Sequence, residues 1–462
     1  RRQRQWCIRD SSIGMRRRIY PWKNKPEIIL SDDTLQAIMY ATVNTLNNSA
    51  QETVVDGMAR ERQQYSGDGA HQLHPVYQAF GEYSLPRRFI NTFSQGSSLE
   101  GFFMDSWPAW DRLARIPERQ MQLTKWGPLI DHGVGFCFDS YYYYMYTGDK
   151  EGLHEVYPRL IKFFHYITSL TDKRDNLIPS ENLGVCSVFI DHDAYKKNRH
   201  KQLALNLYVA AMCKHALLPL CRLFNDNNMA EVVENYGERI HQSCIDKFWC
   251  NEKKVFINNL PWIKEEGGIR YCDRSLATAV LYNQCPDNND GLALKILAEC
   301  PEEMGLSYPC NAVWRLWALA EKGHIDIVLD DLRNRWSKMI SIWENNVIQE
   351  TWQVGYDSNS QWSHCAVAPL VMLHQGIAGV IPLDPETGKY RVRPQAGYLS
   401  HVKFDIQTLY GPITFESKGI KGNREITLNI PEGCEIELWL DSREKVKYTG
   451  VGETNEGLKK YV

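Results

Sequence analysis

A helix-forming run with no polar face lies near the middle of the chain. From Leu203 to Phe224 the apolar residues Leu205, Leu207, Val209, Ala210, Met212, Leu217 and Leu218 fall on every side of a helical repeat. Such a helix must be surrounded by protein, and Pro219 predicts a kink within it. The stretches 150–170 and 228–249 instead carry charges on one face and apolar side chains on the other. Helical patterns recur at about 33–48, 70–80, 86–95, 129–147, 274–284, 289–299, 309–322, 323–339 and 364–377, about twelve in all. Buried helices alternating with amphipathic ones, joined by short turns, suit an inner ring wrapped by an outer ring. The expected body is mainly α: an (α/α)6 toroid of six helical hairpins over residues 31–379.

Beyond Gly379 the period changes. Tyr390–Arg393, Val402–Ile406, Ile413–Glu416, Glu425–Ile430 and Glu435–Leu440 alternate apolar and polar residues, with turn signals such as Tyr410-Gly411-Pro412 between them. This predicts a small C-terminal antiparallel β-sandwich over 380–462. Residues 1–30, with Pro21 and Pro26 and no clear period, read as an extended lead-in. The long connections 96–128 and 172–200 are where function is expected to concentrate.

Composition excludes some classes of function. Net charge is −3 and there is no long basic block, so a nucleic-acid footprint is not expected. No run of about 18 apolar residues predicts a membrane span. The thirteen cysteines form no C-x-x-C pair, and several lie within apolar helical patterns. Buried reduced thiols are the default there, which leans toward a reducing compartment. A soluble protein of cytoplasm or periplasm is the expectation. The start lacks Met and a signal-like apolar region, so the chain reads as an excised or truncated piece. Aromatics at 11% suit packing, and also a cleft in which sugar C–H faces stack on rings.

The chemistry concentrates in two places. Asp56 to Gly69 packs Asp56, Arg60, Glu61, Arg62, Tyr65 and Asp68 between glycines. Glycines 57, 67 and 69, and the lack of periodicity, predict an irregular surface segment throughout. A solvated charged loop is the plain explanation. The sharper one is that Glu61, between Asp56 and Asp68, keeps one carboxyl of the group protonated near neutral pH. Arg60 and Arg62 act in the opposite direction, so the sign stays open. Near the end of the helical region stands Asn346-Val347-Ile348-Gln349-Glu350-Thr351-Trp352, then Ser363-His364-Cys365. A closed ring would bring first and last hairpins side by side, so Glu61 and Glu350 could face one cavity. Glycoside hydrolysis uses such a pair, one carboxyl on the leaving oxygen and one carboxylate opposite. Taken alone, Glu350 is more often an exposed loop acid beside a packed Trp, and Glu344 beside Trp343 competes with it.

At these residues the chain resembles the α-L-rhamnosidases of glycoside hydrolase family 78. Arg60-Glu61-Arg62-Gln63-Gln64-Tyr65-Ser66-Gly67-Asp68 is similar to the family's acid segment. Glu350-Thr351-Trp352, His364 and Gln375-Gly376-Ile377-Ala378-Gly379-Val380 follow the order of its base segment, and Leu409–Ile413 resembles its C-terminal element. The resemblance implies an inverting exo-glycosidase that removes terminal α-L-rhamnosyl residues, with Glu61 as general acid and Glu350 as general base. It implies sugar contacts from Asp56, Arg60, Tyr65, Asp68, Trp107, Asp131, Asp191, Trp352 and His364. The implied partner is a small molecule, oligosaccharide or polysaccharide ending in L-rhamnose, with no cofactor. Departures occur where Gly57-Met58 replaces Cys-Pro, where Gln349 replaces Trp, and where Tyr65 replaces a stacking Trp.

Two other classes fit the toroid. A polysaccharide lyase would abstract a proton with Tyr65, His71, His74 or His364. A non-catalytic glycan-binding module would keep the cleft alone. Asp131-His132 and Asp191-His192-Asp193 with His200 are carboxylate–imidazole pairs of a kind that can ligate metal. No i, i+4 histidine pair supports zinc, and no metal is expected.

Overall fold

The structure is a computed structural model that describes residues 16–58, 61–108, 128–181, 188–190, 197–264, 268–440, 445–450 and 460–461. Among the described residues, the ring's twelve helices alternate between an outer and an inner position. In chain order they are α1 (Asp33–Ser49, outer), α2 (Ser66–Gln78, inner), α3 (Ser84–Ser94, outer), α4 (Ile130–Thr147, inner) and α5 (Tyr157–Leu170, outer). Next come α6 (inner; Gln202–Met212, then a π turn at Cys213–Leu217, then Leu218–Leu223), α7 (Asn227–Phe248, outer) and α8 (Asp273–Leu281, inner). The last four are α9 (Gly291–Glu299, outer), α10 (Val313–Glu321, inner), α11 (Ile325–Asn334, outer) and α12 (inner; Ala368–Val371, then a π turn at Met372–Ile377). The inner helices touch in the order α2, α4, α6, α8, α10, α12 and back to α2, a closed circle.

Sequence explains the two positions. Every residue of α6 from Gln202 to Met212 is buried, as a helix apolar all round requires. The segment Asn198–Leu223 is also long and apolar enough to cross a membrane, but 83% of its most apolar window is buried against the ring. The outer helix α7 buries only one stripe, Ala230, Val233, Tyr236, Gly237, Ile240, Cys244 and Phe248, at steps of one, three or four residues. Each full burial of a large apolar side chain contributes about 1.5–3 kcal/mol. Asp32 caps α1 by accepting from the Leu35 N–H at 3.0 Å, and Asp226 caps α7 through Met229 N–H at 3.2 Å. The disruption expected at Pro219 takes the form of the π turn just before it. Proline lacks an N–H and crowds the carbonyl four residues earlier, that of His215, which lies inside the π turn.

One expectation about the charged stretch is corrected. Residues 66–69 are not irregular: they form the first turn of α2. Both glycines there are required by packing, not by turn geometry. A Cβ on Gly67 would lie 2.4 Å from His132 Nε2, and one on Gly69 would lie 2.5 Å from the Phe89 ring. Close approach of neighbouring groups outweighs the helix penalty of glycine, about 1 kcal/mol.

The ring closes through polar bonds between its first and last segments. Thr45 Oγ1 accepts from Ile348 N–H at 2.8 Å, and Asn44 Nδ2 donates to the Asn346 carbonyl at 2.8 Å. Gly57 and His364 form an antiparallel bridge, flanked by Met58 N–H to Ser363 O (3.1 Å) and Cys365 N–H to Asp56 O (2.8 Å).

After α12 the chain forms two sheets. With β1 (Ile29–Leu30), β2 (Ile381–Asp384), β3 (Lys389–Val392), β4 (His401–Thr408), β5 (Gly411–Ile420), β6 (Asn423–Ile430), β7 (Glu435–Leu440), β8 (Lys445–Gly450) and β9 (Lys460–Tyr461), the orders are β1-β4-β5-β6-β8 and β9-β7-β3-β2. The β4–β5–β6 meander is antiparallel, while β6–β8, β3–β7 and β7–β9 pair in parallel. The lead-in is tied down, because Ile29 and Leu30 pair with Lys403 and Val402. Arg391 forks onto Glu321 of α10 at 2.6 and 2.8 Å, and Gln78 of α2 donates to the Val380 carbonyl at 2.8 Å. The sheets thus brace the inner ring at the end of two of its helices.

Candidate active site

The seam of the ring fixes the first acidic segment. Asp56 is buried, and its Oδ1 accepts the Gln63 N–H at 2.9 Å while Asp56 N–H reaches the Gln63 carbonyl at 3.1 Å. The two ends of the loop that carries Glu61 are thereby pinched together. Burial, with help from the nearby Glu61 charge, raises the Asp56 carboxyl to about 6. Asp68, one turn into α2, rises to about 7 through burial, then through the charges of Asp56 and Glu61. Three carboxyls therefore share one field, and two of them take up protons near neutral pH. Glu61 itself is half-buried. Arg62 is exposed and donates to the Met58 carbonyl at 2.7 Å, while Arg60 lies outside the described residues.

The second segment joins the first through backbone. His364 N–H donates to the Ile348 carbonyl at 2.8 Å, and His364 bridges Gly57. Glu350, two residues beyond Ile348, is half-buried, and its N–H meets the Ser360 carbonyl at 3.0 Å. The competitor Glu344 is exposed in the short helix Ile340–Asn345. Trp352 donates its Nε1 proton to the Ser307 carbonyl at 2.9 Å and stands edge-on to Trp336. Ser307 is held in turn by Asp273, which accepts from its N–H at 2.8 Å and its hydroxyl at 2.9 Å. His364 Nε2 lies 4.0 Å from Asp68 Oδ1.

Tyr65 is buried, with its ring edge-on to His132. Trp107 is half-buried and doubly bonded to Gln64, its N–H donating to the Gln64 carbonyl at 3.1 Å and its carbonyl accepting from Gln64 Nε2 at 2.8 Å. Both Asp131 oxygens accept backbone N–H groups, from Phe189 and Ile190, each at 2.9 Å. Asp131 thus orders the backbone that leads into 191–196. Asp191, like His192 and Asp193, lies outside the described residues.

One cavity is lined by Gly67, His71, Asp131, His132, Tyr208, Arg274, Ser307, Asn311 and Trp314, among others. Sequence reasoning marked the first four and missed the last five. The Arg274 guanidinium lies 3.5 Å over the Trp314 ring and 4.3 Å over Tyr208. His132 Nδ1, Arg274 Nη1 and Trp314 Nε1 are buried without a hydrogen-bond partner among the described residues. Buried polar groups left open around one space are what a hydroxyl-rich ligand satisfies. A signal existed: Asp273-Arg274 opens an inner helix that carries no other charge, and two adjacent buried charges there need a reason. His74 sits apart, ringed by Tyr142, Tyr146 and Trp317, with Gln375 donating to its Nδ1 at 3.0 Å.

A closed ring of six hairpins, with carboxyls clustered at its seam and a polar aromatic cavity beside them, is the architecture of a six-hairpin glycosidase. Residues 24–375 match the bacterial alpha-L-rhamnosidase 6 hairpin glycosidase domain, and 379–455 match the bacterial alpha-L-rhamnosidase C-terminal domain. The chain belongs to that family and is an alpha-L-rhamnosidase-family glycoside hydrolase domain. Among solved structures it is similar to a family 78 rhamnosidase of Bacillus sp. GL1 (16% identity, TM-score 0.78, covering 94% of this chain and 44% of that one). It is also similar to a rhamnosidase from Klebsiella oxytoca with rhamnose bound (17%, 0.63, 76% and 66%). An alpha-L-rhamnosidase of Streptomyces avermitilis complexed with L-rhamnose matches as well (15%, 0.69, 91% and 39%). The chain therefore spans less than half the length of the Bacillus and Streptomyces chains. No curated protein matches it in sequence.

Proposed function

We propose that this chain removes terminal α-L-rhamnosyl residues by hydrolysis with inversion, Glu61 protonating the leaving oxygen and Glu350 activating water. The observation that supports it most is the backbone splice of the ring. Gly57 pairs with His364, and His364 bonds to Ile348, so the loop bearing Glu61 and the segment bearing Glu350 share one small ladder. That splice supports the reading that acids from opposite ends of the chain act on one sugar as general acid and base. The raised Asp56 carboxyl suits a neutral, hydrogen-bonding contact to a ring hydroxyl. Trp314 lines the cavity and offers aromatic surface for the sugar's apolar side, and two similar solved structures carry bound rhamnose.

Glu61→Gln and Glu350→Gln are each expected to lower turnover of an aryl α-L-rhamnoside by ~10²–10⁴, with little change in thermal unfolding. Near-wild-type turnover by either purified variant removes that residue from its role. NMR of the first-formed sugar should show the β-anomer; initial α-anomer would contradict inversion. An unsaturated, ultraviolet-absorbing product would indicate a lyase instead.

A further inference from the structure

Outside the catalytic pair, one cluster of side chains includes two thiols that the glycosidase reading does not use, beside Asp68 and His364. Asp68, Cys310, His364 and Cys365 each offer a donor atom, and these atoms all lie within 4.8 Å of one another. The Cys310 and Cys365 sulfurs are 3.4 Å apart. Asp68 Oδ1 is 3.6 Å from Cys310 Sγ and 3.5 Å from Cys365 Sγ. His364 Nδ1 is 3.7 Å from Cys365 Sγ, and its Nε2 is 4.0 Å from Asp68 Oδ1. The two cysteines and His364 are buried, and Asp68 reaches solvent at its edge.

We propose that these four residues form a tetrahedral site for a soft divalent transition metal, zinc above all. The donor set decides the metal class, since two sulfurs and an imidazole disfavour calcium and magnesium. The spacing fits. Zinc bonds of roughly 2.3 Å to sulfur and roughly 2.0–2.1 Å to nitrogen or oxygen put neighbouring donors of a tetrahedron roughly 3.3–3.8 Å apart. The contacts from 3.4 to 3.7 Å already lie in that range, and the remaining donor pairs, all within 4.8 Å, close on binding as His364 turns one ring nitrogen to the ion. A disulfide would instead require the sulfurs to close from 3.4 Å to about 2.05 Å.

The ligands come from three places: the first turn of α2, the turn before α10, and the bridge strand that pairs with Gly57. The ion would staple the seam where the ring closes, coupling its binding to ring stability. This assignment does not depend on the catalytic roles of Glu61 and Glu350.

The test uses the full chain, reduced, stripped with a chelator and titrated with Co²⁺. The expected result is a thiolate-to-cobalt charge-transfer band and tetrahedral ligand-field bands that saturate at one ion per chain, with displacement by Zn²⁺. Cys310→Ser and Cys365→Ser should each abolish the charge-transfer band or weaken binding at least tenfold, with circular dichroism melts checking the fold. Asp68→Asn keeps both thiols and should shift the ligand-field bands. Should the serine variants not fold, native mass spectrometry of wild type with and without Zn²⁺ decides: one retained ion supports the site, none overturns it. Absence of thiolate bands in reduced wild type, or bands unchanged in the Cys310→Ser/Cys365→Ser double variant, overturns the proposal. A loss of two hydrogens with Cys310 linked to Cys365, and no metal uptake after reduction, overturns it in favour of a disulfide.

Discussion

Asp273→Ala tests how the interior of the ring holds the wall of the cavity. The buried Asp273 carboxylate accepts the Ser307 N–H at 2.8 Å and the Ser307 hydroxyl at 2.9 Å, and the Ser307 carbonyl holds the Trp352 indole at 2.9 Å. Alanine leaves both Ser307 donors without an acceptor. Each buried unsatisfied donor costs about 1–3 kcal/mol, and the hydroxyl, free to rotate, sits at the low end. Arg315, which also feels the Asp273 charge, is not stranded, because its Nη1 keeps Asp331 at 2.8 Å and its Nε keeps the Leu297 carbonyl at 2.6 Å. Burial raises the Asp273 carboxyl, so removing that group returns part of the loss. The net is about 2–4 kcal/mol of destabilisation. Urea unfolding at neutral pH, followed by ellipticity and tryptophan fluorescence, measures it. KM for an aryl rhamnoside should rise with it as Trp352 loses its anchor. A change below about 1 kcal/mol would show that Ser307 finds other partners, and would refute the chain of support from Asp273 to Trp352.

Other substitutions probe separate parts of the argument. Gly67→Ala drives a methyl to within 2.4 Å of His132 Nε2, so His132 must shift into the cavity; L-rhamnose affinity by calorimetry should fall at least about tenfold while far-ultraviolet ellipticity is kept. Asp331→Ala leaves the buried Arg315 guanidinium without its carboxylate and should cost about 3–5 kcal/mol in urea, with Arg315→Met/Asp331→Leu recovering most of it. His374, sealed in α12 against Phe404, is held down to about 4 by burial from an ordinary 6.5. The unfolded chain takes up that proton first, so this contribution is full above pH 6.5 and is lost as pH falls toward 4. His374→Gln should therefore lose about 2 kcal/mol less than wild type between pH 7 and pH 5, and parallel slopes would count against it.

Much of the fold follows from local pattern. The all-apolar run of α6, the one-sided stripe of α7 and the change of period after Gly379 each specify an element, because burial periodicity is a property of neighbouring residues. Tertiary contact decided what local pattern misread. By propensity Gly67 and Gly69 predict a break from helix at 66–69, yet His132 and Phe89 press so closely there that glycine is the residue that fits. The β3–β7, β6–β8 and β7–β9 pairings run parallel, and strand direction is set by connections and not by alternation.

The same division runs through the site. Sequence by itself marked two acidic segments and the aromatic and carboxylate residues around them, since motif order survives in one dimension. Only the closed ring brings Gly57 against His364, aims Arg274 and Trp314 into the cavity, and sets Cys310 within 3.4 Å of Cys365. These partners lie tens to hundreds of residues apart in the chain. Their proximity comes from six hairpins returning to their start, a property of topology that no local spacing encodes.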